Sequence, residues 1–264
     1  METENLKSHA STTSENLSLK TRDKLRIAYI DEPPFYWTGE NNTVKGSDIE
    51  LAEVVLRALG VTSIEYQHTT FEELLPGVQA GRWDMNVPIF ITPERTNDVA
   101  FSIPVWALGD GFVVHRGNPK GLVSYETVIK RGDARLGVIP GQVEFGAAKK
   151  AGMSDNQLVI FNNQPDAVAA LLAGDIDAFA ATAVGNRAIV EHNRGLEAVS
   201  FENVGDGKVP FGGLSFSKTN HDLLQSVNAQ LRKYLGSADH RTRMAKYGIT
   251  KTEIDSVVAN KGTG

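Results

Sequence analysis

The chain has 264 residues, enough for one large domain or two of ordinary size, and its 41% hydrophobic content suits a protein with a real core. A net charge of −5 with both signs well mixed argues against nucleic acid and anionic membrane surfaces, which require a basic face. Cysteine is absent, which removes disulfides and thiolate chemistry, and no apolar run reaches membrane-spanning length.

Residues 1–23 are polar and rich in Ser, Thr, Asn and Glu, and are expected to form a disordered leader. They lack the apolar core of a secretory signal, so taken alone they fit a cytoplasmic protein or one whose signal has been removed. Strands and helices then alternate. "KLRIAYI" (24–30) predicts a strand that runs into "DEPPFYW" (31–37), where Glu32 stands beside two prolines and three aromatic rings. That stretch has two readings: a turn whose rings fold back into the core, or half of a binding site. "SDIELAEVVLRALG" (47–60) predicts a helix opened by a capping box of Ser47 and Glu50 and stopped at Gly60. Its apolar face is Ala52, Val55, Leu56 and Leu59. "SIEYQ" predicts a second strand, Thr70 and Glu73 open another helix in the same capping pattern, and "DMNVPI" predicts a third strand. Such alternation implies an α/β fold with a mostly parallel sheet and crossover helices.

The second half repeats the scheme, with "GFVVH", "RLGVI", "QLVIF" and "IDAFAA" as strands. One echo stands out. Ala80-Gly81 and Asp84 match Ala173-Gly174 and Asp177: helix end, two residues, Asp, then strand. This pattern suggests two lobes of one design. The tail "HDLLQSVNAQLRKYLG" (221–236) predicts a helix with Leu223, Leu224, Val227, Leu231 and Tyr234 on one side, packed back on the first lobe.

Common catalytic signatures are missing: no G-x-S-x-G, no phosphate loop, no H-E-x-x-H and no strand–G-x-G-x-x-G–helix. The histidines (His9, His68, His115, His192, His221, His240) are scattered singly, so neither a metal nor a cofactor is expected. The informative stretch is "PIFITPERTNDVAFSIPVW" (88–106). Thr92 suits a helix N-cap, Pro93 the first helical position, and Arg95 falls in the first turn. An arginine there opposes the helix dipole unless an anion sits with it, and a carboxylate would meet both free N–H groups and a planar guanidinium. The other reading is an exposed Arg95 paired with Glu94 or Asp98.

The ordered set "EPPFYW", "GSDIELAEVVLRALG", "LLPGVQAGRWDMNV", "ITPERTNDVAFSIPVW" and "LLAGDIDAFAA" resembles the type II solute-binding proteins of ABC importers, polar amino-acid branch, from Lys24 to about Tyr247. The resemblance implies two Rossmann-like α/β lobes joined by a two-strand hinge, with ligand held in the cleft. Lobe 1 would comprise 24–109 plus 214–264 and lobe 2 would comprise 110–213, with crossings near Ala107–Phe112 and Phe211–Phe216. It further implies that Arg95 grips the ligand carboxylate. Where relatives hold an α-amino group with an acid, this chain has Thr182, and a hydroxyl cannot balance a buried ammonium. Glu-Pro-Pro-Phe looks like the ectoine and hydroxyectoine binding proteins, which implies that Glu32 receives a cyclic amidinium inside a cage formed by Phe35, Phe71 and Phe90. Other departures are Gln142 and Val143 in the second lobe's loop, and a segment around Pro88, between Asp84 and Arg95, that is one residue short. These leave room for another cyclic or betaine-like carboxylate. The implied partners are a small-molecule ligand and a membrane ABC permease, for a periplasmic or extracytoplasmic monomer with its signal peptide removed. Alternatives are a polar amino-acid binding protein, a sensor subunit, and a cyclohexadienyl-dehydratase-like enzyme with Glu32 or Glu144 as general acid.

Overall fold

A computed structural model describes residues 24–201 and 209–259; the leader expected over residues 1–23 lies outside them. The first lobe runs β1 (Lys24–Tyr29), a ribbon of β2 (Trp37–Thr38) and β3 (Val44–Lys45), α1 (Ser47–Ala58), β4 (Ser63–His68), α2 (Phe71–Gln79), β5 (Met85–Phe90), α3 (Pro93–Asp98), β6 (Ala100–Phe101) and β7 (Trp106–Ala107). The second runs β8 (Asp110–His115), α4 (Tyr125–Lys130), β9 (Leu136–Val138), α5 (Val143–Lys150), β10 (Leu158–Ile160), α6 (Gln164–Ala173), β11 (Ala178–Thr182), α7 (Ala183–His192) and β12 (Leu196–Ser200). The chain then returns through β13 (Phe211–Phe216) to α8 (His221–Tyr234), α9 (Ala238–Ala245) and α10 (Lys251–Ala259).

Each sheet has a parallel heart and an antiparallel flank. In the first, ordered β4-β1-β5-β13-β6, β1 pairs parallel with β4 and β5, while β13 runs antiparallel to β5, β6 and β7. In the second, ordered β10-β9-β11-β8-β12, β9 pairs parallel with β10 and β11, while β8 runs antiparallel to β11 and β12. The first crossing between sheets passes Leu108-Gly109, between β7 and β8. The second does not lie over Phe211–Phe216: β13 already pairs with β5 and β7 from Phe211 onward, so the chain has returned to the first sheet before that strand begins.

The sequence echo is one hydrogen-bonded clasp built twice. The Asp84 carboxylate accepts the Arg26 backbone N–H at 2.9 Å, and the Arg26 guanidinium donates to the Gly81 carbonyl at 3.0 Å. In the other lobe Asp177 accepts the Arg135 N–H at 2.8 Å, and Arg135 donates to the Gly174 carbonyl at 3.1 Å. Gly81 (φ 69) and Gly174 (φ 79) take the left-handed conformation that lets the helix end turn directly into a strand. β5 is buried along its whole length, as a strand covered on both faces must be. Pro88 within it has no N–H to give the ladder, and there the β5–β13 register slips: Gly213 faces Ile89 but Ser215 faces Asn86. This bulge falls inside the segment around Pro88.

Two predicted capping boxes do not form. Ser47 lies inside α1, its hydroxyl donates to Asp48 at 3.3 Å, and the cap position is Gly46. The free N–H groups of Ser47 and Asp48 instead donate to the Pro34 and Phe35 carbonyls, each at 3.0 Å, so a turn distant in sequence serves as the cap. Glu50 is then free to accept from Tyr247 Oη at 2.6 Å and Arg243 at 3.3 Å, which ties the tail to α1. Thr70 does cap α2, but without a side-chain bond, and Glu73 pairs with Arg82. α8 packs on α1 as expected, burying Leu223, Val227 and Leu231, with Leu224 and Tyr234 half-buried.

Gly46 sits at φ 136, and a Cβ there would run into the Phe35 backbone carbonyl. Gly46→Ala is therefore expected to lower stability in urea unfolding by about 2 kcal/mol or more, since the strained backbone and the blocked approach both oppose folding.

Candidate functional site

The turn after β1 is closed on itself before any ligand is considered. The Glu32 N–H donates to the Tyr36 carbonyl at 2.8 Å, and Phe35 N–H donates back to the Glu32 carbonyl at 3.0 Å. Its outer carbonyls are held by α1, so the Glu32 carboxylate and the Phe35 ring are presented by a fixed loop. Glu32 is 8% exposed, and its Oε2 accepts from Tyr36 Oη at 3.2 Å and from Gln142 Nε2, across the cleft, at 3.0 Å. Both readings of the turn therefore hold in part. Phe35 and Tyr36 fold inward, and the cavity they fold onto also contains Glu32. Trp37 turns away, edge-on to Tyr247 at 6.3 Å with Lys45 over its face.

Thr92 caps α3, accepting the Arg95 N–H at 3.3 Å. The Arg95 side chain turns inward and is 8% exposed. It does not pair with Glu94 or Asp98. Its guanidinium donates to the Phe90 carbonyl at 2.7 Å and, across the cleft, to the Gly141 carbonyl at 2.7 Å, with the Phe71 ring 5.1 Å away beneath it. Two of its five N–H donors are so used, which leaves three for an anion.

All eight residues singled out in the sequence, Glu32, Phe35, Phe71, Phe90, Arg95, Gln142, Val143 and Thr182, line one cavity between the lobes. It holds about 330 Å³ of atom-free space, part of it opening to solvent. Two roles differ in detail from the expectation. Phe71 packs against Arg95 itself. The Thr182 hydroxyl accepts the Gly185 N–H at 3.1 Å as the cap of α7.

Six cavity residues were absent from the set expected from the sequence: apolar Pro88, Ile89 and Leu108, and Tyr36, Trp106 and Glu144, which carry polar groups. Tyr36 holds Glu32, as described. Trp106 meets Phe90 edge-on at 5.2 Å and Phe35 at 6.2 Å, and its Nε1–H donates to buried Asp48 at 3.2 Å. Trp106 closes the same "TPER…VW" stretch that pointed to Arg95, but nothing in that stretch foretold which way its ring turns. Glu144, in the first turn of α5, is 3% exposed and faces the cavity from the second lobe. It follows Gln142 and Val143 directly, and was read from sequence only as a candidate general acid.

Burial dominates the electrostatics. It raises Glu32 to about 7, against the opposing effects of Tyr36, Arg95 and Gln142. It raises Asp48 to about 8 despite bonds from Trp106 and Ser47, and Asp110 to about 6. Glu144 is pushed well above the carboxylate range by burial and then by Asp110. Arg95 is pulled down by burial, while Glu144, Tyr36 and Glu32 hold it up.

This geometry can be set against known proteins. The model for "Bacterial extracellular solute-binding proteins, family 3" matches residues 25–249. The chain belongs to that family. It is 31% identical to a "Probable amino-acid ABC transporter periplasmic-binding protein", y4tE, of Sinorhizobium fredii, over 90% of this chain and 81% of that one. Against "ABC transporter arginine-binding protein 1" of Escherichia coli K12 the identity is 27%, over 75% of this chain and 79% of the relative. Among solved structures, EhuB in complex with hydroxyectoine superposes with a TM-score of 0.79 at 26% identity, covering 89% of this chain and 94% of that one. An ancestral arginine-binding protein bound to arginine gives 0.75 at 28% identity, covering 86% and 99%. The α/β architecture of two lobes is that of these family 3 neighbours. No helix among the described residues is long and apolar enough to cross a membrane.

The raised carboxyls make a testable statement about stability. Each binds its proton more tightly folded than unfolded, where a carboxyl titrates near 4. The folded state therefore holds more protons, and stability falls as pH rises through about 6 to 8. Urea unfolding without ligand is expected to give a higher free energy at about pH 5.5 than at about pH 8. Glu32→Gln should flatten that slope and exceed the native protein in stability at the higher pH.

Proposed function

We propose that this family 3 protein is the extracytoplasmic receptor of an ABC importer, working as a monomer that binds a small zwitterionic carboxylate between its lobes and delivers it to a membrane permease. Within that class the residues favour an ectoine- or hydroxyectoine-like solute, a cyclic or betaine-like amino-acid derivative. The carrying observation is that Arg95 and Glu32, of opposite charge, share one buried, ring-lined cavity. A guanidinium fork matches a carboxylate, and a carboxylate among ring faces matches a delocalised, weakly hydrated cation. The permease and the binding role are supported by the relatives' names, which are those of transport-binding proteins.

A second reading, a polar amino acid, is favoured by Glu144. It places an acid on the second lobe, where Thr182 provides none.

Thermal melts against ectoines, proline derivatives, betaines and amino acids test the class. A ligand at a hundred times its Kd is expected to add about 2.7 kcal/mol. Flat melts across the whole panel would remove the reading. Arg95→Ala should cost about 2–5 kcal/mol in affinity for any carboxylate, because it strips a desolvated charge pair. Glu32→Gln should weaken a cationic ligand strongly and a neutral one little; equal effects on both would show that Glu32 does not meet the ligand's charge.

A further inference from the structure

The cavity holds more acid than a carboxylate on Arg95 and a cation on Glu32 would use. Glu144 enters from the second lobe, and next to it lies Asp110, the first residue of β8, whose carboxyl helps hold that of Glu144 above the carboxylate range. Two buried carboxyls that act on one another this strongly resist ionising together, so the pair keeps one proton and a single negative charge near neutral pH. Beside it, Asp110 Oδ1 and the hydroxyl of Tyr125, a residue only 7% exposed, are buried without a hydrogen-bond partner. Tyr125 feels the charge of both acids. The charged and titratable groups facing Glu144 are Asp110 from β8, Tyr125 from α4, Glu32 from the first turn and Arg95 from α3, with Asp48 of α1 coupled to Glu32. Among the described residues, Arg95 is the one cation acting on Glu32 and Glu144. Once it holds a ligand carboxylate, its charge is cancelled, and Glu32 and the pair face the cavity with no positive partner.

We propose that Glu144, backed by Asp110, is a specificity-determining residue that takes a cationic N–H group of the ligand from the second-lobe side. The inference rests on the solute-binding reading and narrows it. The ligand places its carboxylate on Arg95 and positive N–H groups against both lobes, either as two cationic centres or as one delocalised cation broad enough to meet Glu32 and Glu144 together. A solute that is neutral on that side gains nothing from the pair, which discriminates by charge and not by size. Asp110 is a positioning residue: by sharing the proton it keeps the pair singly charged.

Isothermal titration of ectoine, L-arginine and L-citrulline tests this, the last matching arginine in shape without its side-chain charge. At least one of the two cationic probes is expected to bind about tenfold or more tightly than L-citrulline. Glu144→Gln should bring that ratio close to unity by weakening the cationic probe, with an unchanged far-UV circular dichroism spectrum and a cooperative thermal melt showing that the variant is folded. Asp110→Asn should keep the ratio, because its amide can donate to an ionised Glu144. In the native protein the preference should weaken below about pH 6, as the pair takes a second proton. A ratio unchanged in Glu144→Gln, or no preference in the native protein, overturns the inference while leaving the role of Arg95 intact. Binding of none of the three probes overturns the inference as well, while the solute reading stands or falls on the wider thermal-melt panel.

Discussion

The interlobe cavity is governed by an inequality of charge. One guanidinium, Arg95, faces the buried carboxyls of Glu32 and Glu144, with Asp48 and Asp110 behind them. An unpaired ionised group in such a place costs several kcal/mol, so the acids keep their protons at pH values where an exposed carboxyl would have lost them. Holding acids in this condition lowers stability at neutral pH and raises attraction for a cation. That is the exchange of stability for function expected where a protein must bind something it does not itself contain.

What holds these groups in position is mostly backbone. Glu32 projects from a turn whose carbonyls cap α1, and Gly46 is the residue that allows helix and turn to meet so closely. Pro88 forces a bulge in a buried strand, and the residues around it, Pro88, Ile89 and Phe90, line the cavity. On β13, a Cβ at Gly212 would collide with the Trp106 ring, so the bare glycine lets that ring lie against the strand and reach Asp48. The walls of the cavity are thus set by three local devices, each a glycine or a proline used where no other residue fits.

Much of this was legible before any coordinates. The helices and strands follow from periodicity, and the Ala-Gly-x-x-Asp echo corresponds to a real clasp in both lobes. The inward turn of Arg95 was foreshadowed by an arginine in the first turn of a helix, a poor place for it unless something else compensates. What failed to show was tertiary in origin. The Ser47–Glu50 capping box has the right local sequence, yet carbonyls from residues 34 and 35 arrive first and release Glu50 for Tyr247. The assignment of β13 to the first sheet depends on β5 and β7, pairings that no local window contains. Glu144 sits in a segment of weak pattern. Only the fold brings it beside Asp110, 34 positions earlier, where each acid acts on the other.

The groups that face the cavity are also the ones that draw the lobes together. Gln142 of the second lobe donates to Glu32 of the first, and Arg95 of the first donates to Gly141 of the second. Farther out, Gln164 donates to the Pro33 carbonyl at 3.1 Å and Arg187 to Glu253 at 2.8 Å. A ligand that engages Glu32 and Arg95 therefore enters the hydrogen-bond set that ties lobe to lobe, and affinity and closure become one equilibrium. The outer ties, which touch no cavity residue, can hold the lobes near one another while the inner ones exchange partners. Under the proposed function, a cation at Glu32 would satisfy an acid that Gln142 alone, a neutral donor, cannot, so the solute that best balanced the cavity's charge would also be the one that best held it shut.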